Sequence, residues 1–344
     1  MKGAIAGFGF IITEGHLPAF LDRKDIEIVA VTDSNPERKS LVEKLLPKAR
    51  FYPSTKTMLS NESLDFIDIA TPPAYHIDHM RLAMEHHLNI LCEKPLVLES
   101  EHLAEIKDYL HETGKTVFTV HNWKYAPIFL KTSELIQNNC IGDITHIHYE
   151  VLRTCPSATA QQNTLNWRLQ KEVAGGGILF DHGWHALYNI LGWVNKKPLW
   201  VECLLENRKY KDLPLEDTAS VKIGFDQSVV DLFFTWSSEI RKNTVSLTGT
   251  NGTIIIHDDT IHLSNTDGEK KYVFKQALSK GSHHPEWYPF VINDFLSAIK
   301  TNPSLKTRNF NEASICLELL NASKISHQMG AMRIMISSEI HGKG

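Results

Sequence analysis

Cysteine is scarce in this sequence: five residues in 344, an odd number with no C-x-x-C pair. Cys92, Cys140, Cys155, Cys203 and Cys316 are too scattered for a disulfide framework or a zinc ribbon, and are expected to be free thiols in a reducing compartment. Basic charge is not in excess either. Lys and Arg number 36 against 40 Asp and Glu, a formal net charge of −4 with histidine neutral. A protein that tracks a phosphate backbone carries a basic stripe and a high pI, so no nucleic-acid partner is expected. No run of like charge is long enough to serve as an interaction tail. No apolar run reaches the roughly 20 residues that cross a bilayer. The first apolar run begins at Gly3 without the charged, apolar and small-residue regions of a signal peptide. The expectation is a cytoplasmic protein with no membrane partner. Internal repeats and low-complexity segments are also lacking.

What remains is ordinary for a globular protein, 42% hydrophobic and 22% charged, at a length that suits two domains. The first part alternates short apolar runs with segments of helical spacing. "KGAIAG", "IEIVAVTD", "LDFIDIAT", "LNILCE" and "KTVFTVHN" read as strands, with helical segments between them. Strands separated by helices of this size imply βαβ units and a parallel, doubly wound sheet. After about residue 140 the texture changes. "DITHIHYEVL", "PLWVECLL", "TASVKIGF", "SVVDLFFTW", "NTVSLTG" and "GTIIIHDD" are strands joined by turn signals, "GTNGT" at 249–253 being a tight turn. The expected fold class is α/β for the first part, followed by an α+β domain with a mostly antiparallel sheet. Helical spacing returns at "PFVINDFLSAI" and "NEASICLELLNASKI".

The stretch "KGAIAGFGFIITEGHLPAF" sits where the first βα turn of such a sheet would bind a dinucleotide. Gly7 allows a tight turn, and Gly9 lets the backbone approach a pyrophosphate seated on the helix N-terminus. Ile12 stands where the third glycine of G-x-G-x-x-G belongs, which predicts a helix set further from the strand or starting later. Asp33 closes the second strand roughly 20 residues on, where a carboxylate can accept from a ribose 2′-hydroxyl and repel a 2′-phosphate. That favours NAD over NADP, although Arg38 is near enough to serve a phosphate. The bland alternative is an α/β domain with a glycine turn and an unrelated surface Asp.

Two further segments carry chemistry. "LCEKPL", residues 91–96, puts Glu93 and Lys94 at the C-terminal end of the fourth expected strand, the edge where open α/β sheets bind ligands. A lysine there can stabilise a developing alkoxide, and the same spacing also suits a surface Glu–Lys pair. "AGGGILFDHGWHALYNI", residues 174–190, has three glycines ahead of a helix. If that helix begins near Leu179, Asp181 and His185 lie four apart on one face. A carboxylate beside an imidazole makes a general base near neutral pH, while a capping Asp and a satisfied His would look alike in sequence. His182 points elsewhere on such a helix and is taken as peripheral. The pairs His76/His79, His86/His87 and His283/His284 lack the accompanying Cys, Asp or Glu spacing of a zinc site, and no metal is expected.

In chain order, the G-x-G turn, the strand ending in Asp33, "TPP" with His76, "CEKP", "GGGILFDHGWH", "EDTA" at 216–219 and "GTNGTI" resemble the Gfo/Idh/MocA family over nearly the whole length. Ile12 is the departure. The resemblance implies a Rossmann domain at 1–122 holding NAD(P). It also implies a substrate-binding and oligomerisation domain at 123–344, whose large open sheet would build a homodimer or homotetramer. It further implies hydride transfer between nicotinamide and a secondary alcohol or ketone of a sugar, cyclitol or sugar derivative. Lys94, Asp181 and His185 would be catalytic: His185 takes the hydroxyl proton, Asp181 holds the imidazole, and Lys94 orients the oxygen. Cofactor contacts would map to Gly7, Phe8, Gly9, Asp33, Thr71, Pro72, His76, Glu93, Lys94 and Asn122. Substrate contacts would come from "HNWKYAP" and "NTLNWRL", with Lys124, Tyr125, Trp167 and Arg168 as candidates. Two alternatives share the fold: a glycoside hydrolase that uses NAD transiently, and a non-catalytic NAD(P)-binding sensor or co-repressor.

Overall fold

The computed structural model describes residues 1–157, 166–281 and 284–336. The described residues fall into two compact units. One holds residues 1–122, Asn166, Trp167 and residues 284–314; the other holds 123–157, 168–281 and 315–336.

The first unit is built on a six-stranded parallel sheet. Its strands are β1 (Lys2–Ala6), β2 (Glu27–Thr32), β3 (Arg50–Tyr52), β4 (Phe66–Ile69), β5 (Asn89–Cys92) and β6 (Val117–Thr119), in the order β3-β2-β1-β4-β5-β6. β4 and β5 are buried at every position, the pattern of strands covered on both faces. Between them run α1 (Leu17–Leu21), α2 (Arg38–Leu45), α3 (Thr55–Asn61), α4 (His76–Glu85) and α5 (Glu101–Thr113). Strand order reverses between β1 and β4, so the loops after these strands flank the crevice where doubly wound sheets take ligands. Phe66 of β4 packs between Phe20 and Phe295, at centroid distances of 5.9 and 5.6 Å.

The second unit contains α6 (Pro127–Gln137), β7 (Ile144–Leu152), α7 (Lys171–Ala174) and α8 (Trp184–Val194). The strands β8 (Trp200–Glu206), β9 (Thr218–Gly224), β10 (Val229–Thr235), β11 (Lys242–Gly249), β12 (Gly252–His257), β13 (Thr260–Asn265) and β14 (Gly268–Val273) follow. α9 (Tyr288–Lys300) and the start of α10 (Pro303–Gln328) belong to the first unit, and β15 (Ile334–Met335) to the second. The nine-stranded sheet runs β14-β13-β12-β11-β7-β10-β9-β8-β15. Every pairing is antiparallel except β10 with β7. Burial alternates along β7 and β11, as expected of a sheet with one covered face. On that face Trp193 of α8 stacks on Tyr149 at 6.3 Å and meets Phe129 edge-on at 5.3 Å.

The expected fold class is the observed one. The five sequence-read strands of the first sheet are present, and β3 is an addition: a three-residue edge strand too short to show periodicity. β13, β14 and β15 extend the second sheet beyond the six strands read from sequence. β14, "GEKKYV", is a charged and almost wholly exposed edge strand, so it carries no apolar alternation to read.

Candidate functional site

The glycine turn leaves β1 at Gly7, whose φ of +89° no side chain adopts comfortably. A Cβ there would stand 2.9 Å from both Ala70 O and Thr71 N of the loop after β4. The Gly7 amide donates to Thr32 O at 2.8 Å, and the Phe8 amide donates to Asp33 Oδ2 at 2.6 Å. The second Asp33 oxygen accepts from Asn35 N at 2.8 Å, so this carboxylate braces the turn as well as ending β2. At Gly9 a Cβ would meet nothing within 4 Å: the space beside this residue is open, at the N-terminus of the helix that begins at residue 10. That opening, two residues past the turn and next to Asp33, fits the pyrophosphate of a dinucleotide.

Ile12 is fully buried, and it begins a π turn, Ile12–His16, that runs into α1. A π turn closes i→i+5 bonds and holds more residues per turn than an α-helix. The helix does not start late, since it begins at residue 10; instead the bulky side chain at the position of the third glycine coincides with a local widening of the helix.

On the neighbouring loops His76 is buried. Its Nε2 lies 2.8 Å from Thr71 O and its Nδ1 2.9 Å from Pro95 O, so the ring sits between the Thr71–Pro72 loop and the segment after Lys94, and when neutral it donates to one of the two carbonyls. Burial lowers its pKa, against the pull of those carbonyls. His79, its partner in the H-x-x-H pair, sits with Nδ1 2.7 Å from Thr55 Oγ1. Burial, with His76 nearby, lowers its pKa to about 4, so it is neutral. The two rings serve separate contacts.

Glu93 and Lys94 follow β5 directly. Glu93 Oε2 accepts the Lys94 amide at 3.1 Å, and Glu93 Oε1 lies 2.9 Å from Nε2 of His16. The other nitrogen of His16 lies 2.8 Å from Asp68 Oδ2 on β4, and both His16 and Asp68 are fully buried. Burial alone would lower the His16 pKa. Asp68 and then Glu93, by charge and hydrogen bond, outweigh it and raise the pKa to about 10. Burial likewise pushes Glu93 upward, but His16 and Lys94 win and hold it below its ordinary value. Asn122 Nδ2 donates to Tyr288 OH at 3.3 Å, and the Tyr288 ring lies 4.7 Å from that of His16.

In the second unit the glycine-rich segment is shaped by Glu216. A Cβ on Gly177 would stand 1.9 Å from Glu216 O. The Glu216 carboxylate accepts from Gly177 N at 2.9 Å and Leu179 N at 3.1 Å. Burial raises its pKa, against those amides. Asp217, its neighbour in "EDTA", accepts from the amides of Arg208, Lys209 and Tyr210 at 2.7–2.9 Å. The expected helix does start at Leu179, as a π turn, Leu179–Gly183, before α8. Asp181 Oδ2 lies 3.2 Å from Nδ1 of His182. His185 Nδ1 lies 2.8 Å from Tyr188 OH, which also accepts from the Trp123 amide at 3.0 Å. The Trp123 ring stacks on His185 at 5.1 Å, and Lys124 Nζ lies 5.8 Å from the centre of the Tyr188 ring. Arg153 is buried at the end of β7, and desolvation, with Arg241 nearby, lowers its pKa to about 10 against the charges of Asp181 and Asp258.

Within the first unit the structure gathers Gly7, Phe8 and Asp33; Thr71 and His76; and Glu93 with Lys94. Within the second it gathers Lys124 and His185 around Tyr188. Tyr125 ends the short turn Asn122–Tyr125, and Trp167 and Arg168 open another, Trp167–Leu169. Residues 158–165, the start of the candidate substrate loop, and His283 lie outside the described residues. Sequence reading passed over His16, Asp68 and Tyr188, and gave Glu216 and Trp123 no role of their own within "EDTA" and "HNWKYAP". Asp68 did leave a signal: a carboxylate inside the apolar run "FIDI" needs a partner once that strand is buried.

A doubly wound nucleotide-binding sheet with an open glycine turn, joined in one chain to a large antiparallel sheet, defines a class of two-part dinucleotide-binding proteins. The chain belongs to the Gfo/Idh/MocA oxidoreductases. The family's NAD-binding Rossmann domain matches residues 1–121, and its C-terminal domain matches residues 129–255. The chain is 26% identical to D-glucoside 3-dehydrogenase of Escherichia coli over 54% of its own length and 52% of the relative's. It is 26% identical to an NADP-linked D-xylose 1-dehydrogenase of Haloferax volcanii over 54% and 55% of the two chains. The matched stretch thus spans about half the length of these curated relatives. Levoglucosan dehydrogenase, solved with NADH, shares the fold at a TM-score of 0.83 and 18% identity, covering 98% of this chain and 99% of that one. Among the described residues no helix is long and apolar enough to cross a membrane.

Proposed function

We propose that this chain is an NAD(P)-dependent dehydrogenase or reductase acting on a secondary alcohol or ketone of a sugar, cyclitol or sugar derivative, with NAD the preferred cofactor. The observation that carries this reading is the Gly7–Gly9 turn, open at Gly9 and closed by the Asp33 carboxylate on the Phe8 amide. Gly7, Phe8, Gly9 and Asp33 would seat the dinucleotide, with Thr71, Pro72, His76, Glu93, Lys94 and Asn122 as its further contacts. Bound nicotinamide would supply the hydride acceptor or donor. A carboxylate at Asp33 favours a ribose 2′-hydroxyl over a 2′-phosphate.

The protein's part is to place charge and move a proton. Lys94 donates a hydrogen bond to the reacting oxygen and stabilises alkoxide character. His185 is the general base. With Nδ1–H donated to Tyr188 OH, Nε2 keeps its lone pair for the substrate hydroxyl. Asp181 supports the imidazolium that forms. Lys124, Tyr125, Trp167 and Arg168 are proposed to contact substrate; the expected cofactor domain at 1–122 is completed by 284–314, which the expected substrate domain at 123–344 gives up to it. The nine-stranded sheet is the proposed surface for a homodimer or homotetramer.

The test is a turnover screen. Purified protein with NAD, and separately with NADP, is offered sugars, inositols, sugar acids, nucleotide sugars and aryl glycosides, following reduced cofactor and released aglycone in separate channels. Reduced cofactor is expected from one substrate class, faster with NAD. On that substrate Lys94→Ala and His185→Ala are expected to lower kcat about 10²-fold or more while NADH affinity stays within a few-fold. Full turnover in both variants overturns the roles. Aglycone without net reduced cofactor moves the chain to the hydrolase reading, and cofactor binding with no turnover to the sensor.

A further inference from the structure

Among the described residues of the first unit, a buried ionic cluster centred on His16 ends on one of the residues assigned above, Glu93. His16 offers both ring nitrogens to carboxylates, Asp68 at 2.8 Å and Glu93 at 2.9 Å. Burial pushes the Asp68 carboxyl above its ordinary value, against the pull of His16; with both carboxylates ionised, both contacts are hydrogen bonds only if both ring nitrogens carry protons, which makes the ring an imidazolium. Its raised pKa, about 10, agrees. Asp68 lies within a fully buried strand and acts as the fixed end. Glu93 is the adjustable end: its side chain is 13% exposed and follows the last residue of β5. Its second oxygen already holds the Lys94 amide at 3.1 Å. The groups around the imidazolium are Asp68 from β4, Cys92, Glu93 and Lys94 from the end of β5, and Tyr288 at the start of α9, with His76 of α4 in the field of Glu93.

We infer that His16 is a positioning residue for Lys94: anchored by Asp68, it pins the Glu93 carboxylate, and Glu93 pins the backbone from which the Lys94 side chain projects. The inference rests on the role proposed for Lys94. An ion pair serving stability alone has no need to end on that amide. A carboxylate one residue from a catalytic lysine has two ways to go wrong: rotating to neutralise the ammonium directly, or protonating. A cation on its far oxygen opposes both. The cost of burying three charged groups falls on stability, which an apolar cluster of similar size would serve as well.

The experiment reads Lys94 directly. The full chain, labelled with 13C at lysine Cε, is compared as wild type, His16→Gln, Asp68→Asn and Glu93→Gln, with and without NADH. The Lys94 resonance is assigned from its loss in Lys94→Arg. His16→Gln and Glu93→Gln are expected to shift and broaden the Lys94 signal in the same direction. Asp68→Asn, which leaves Glu93 its partner, should shift it less, and the signal of Lys306, which donates to Gly114 O, should stay in place in all three. A general loosening would move the lysines together. An unchanged Lys94 signal in His16→Gln overturns the inference. If that variant does not fold, an unchanged signal in the isosteric Glu93→Gln overturns it equally. A signal that answers to His16 while Lys94→Ala keeps full turnover supports the coupling and removes the catalytic reading. A dead Lys94→Ala with a signal indifferent to His16 removes the inference alone.

Discussion

At Gly177 a methyl group has no room. Its Cβ would stand 1.9 Å from a carbonyl oxygen of Glu216, and backbone does not yield as a flexible side chain does. At Gly9 the same methyl would enter open space. The two glycines therefore predict opposite outcomes. Gly177→Ala is expected to lose about 1–3 kcal/mol in urea unfolding, the usual scale of an overpacked site. Gly9→Ala should unfold like wild type yet bind NADH at least several-fold more weakly, seen by fluorescence titration. Equal stability in the two variants would contradict the close approach at Glu216. At this scale the sequence was legible where a residue type has few other uses: Gly7 holds a φ of +89° and Gly9 faces open space. It was not legible where the meaning lies in a partner. His16 looks like one more polar residue on a helix until β4 and β5 bring Asp68 and Glu93, 52 and 77 positions away, against its two nitrogens. Tyr188 was closer at hand, three residues after His185, but a tyrosine in an apolar helix reads as core.

Among the described residues, two helices carry a π turn near their start, Ile12–His16 ahead of α1 and Leu179–Gly183 ahead of α8. Hydrophobic periodicity places both helices and cannot show that their first turns are wide, because one turn is too short to separate the two periods. Each wide turn carries residues that matter to the proposed chemistry, in keeping with where π bulges are commonly found. The element carrying His16 also makes a prediction about pH. Its folded pKa of about 10 lies above the ordinary 6.5. The stability it contributes is therefore complete below pH 6.5 and is lost as pH rises through about 10. Urea unfolding of wild type and His16→Gln should show a gap that is widest near pH 6 and closes towards pH 10. Because Glu93 titrates below its ordinary range, its own contribution disappears only on the acid side, outside that window. A gap that is flat or widening between pH 6.5 and 10 would show that His16 is not charged in the folded protein.

The first unit takes part of its core from the far end of the chain. Phe295 of α9 packs on Phe66 at 5.6 Å and on Phe118 at 6.1 Å. Asn309 of α10 bonds both the amide and the carbonyl of Thr119, at 2.7 and 3.0 Å. A fragment of residues 1–122 would expose both phenylalanines and leave that strand end without partners. It is expected to lack near-UV dichroism and to aggregate, while co-expression with a segment covering 284–314 should restore a soluble NADH-binding unit. A well-folded 1–122 fragment would show that α9 is dispensable to the sheet. The helical spacing of both late segments was plain in sequence, but nothing in their composition says which sheet they cover, because apolar faces are interchangeable until topology assigns them.

That return of the chain has a consequence for biosynthesis. Domains generally fold as units in the order they leave the ribosome, at about 5–20 residues per second. Here residues 284–314, which complete the unit of the first sheet, leave the ribosome after every strand from β7 to β14. The proposed nucleotide site is encoded ahead of the second sheet and its surroundings are completed after it. A nascent chain stalled anywhere in the second sheet would therefore carry the entire glycine motif and still fail to retain the cofactor.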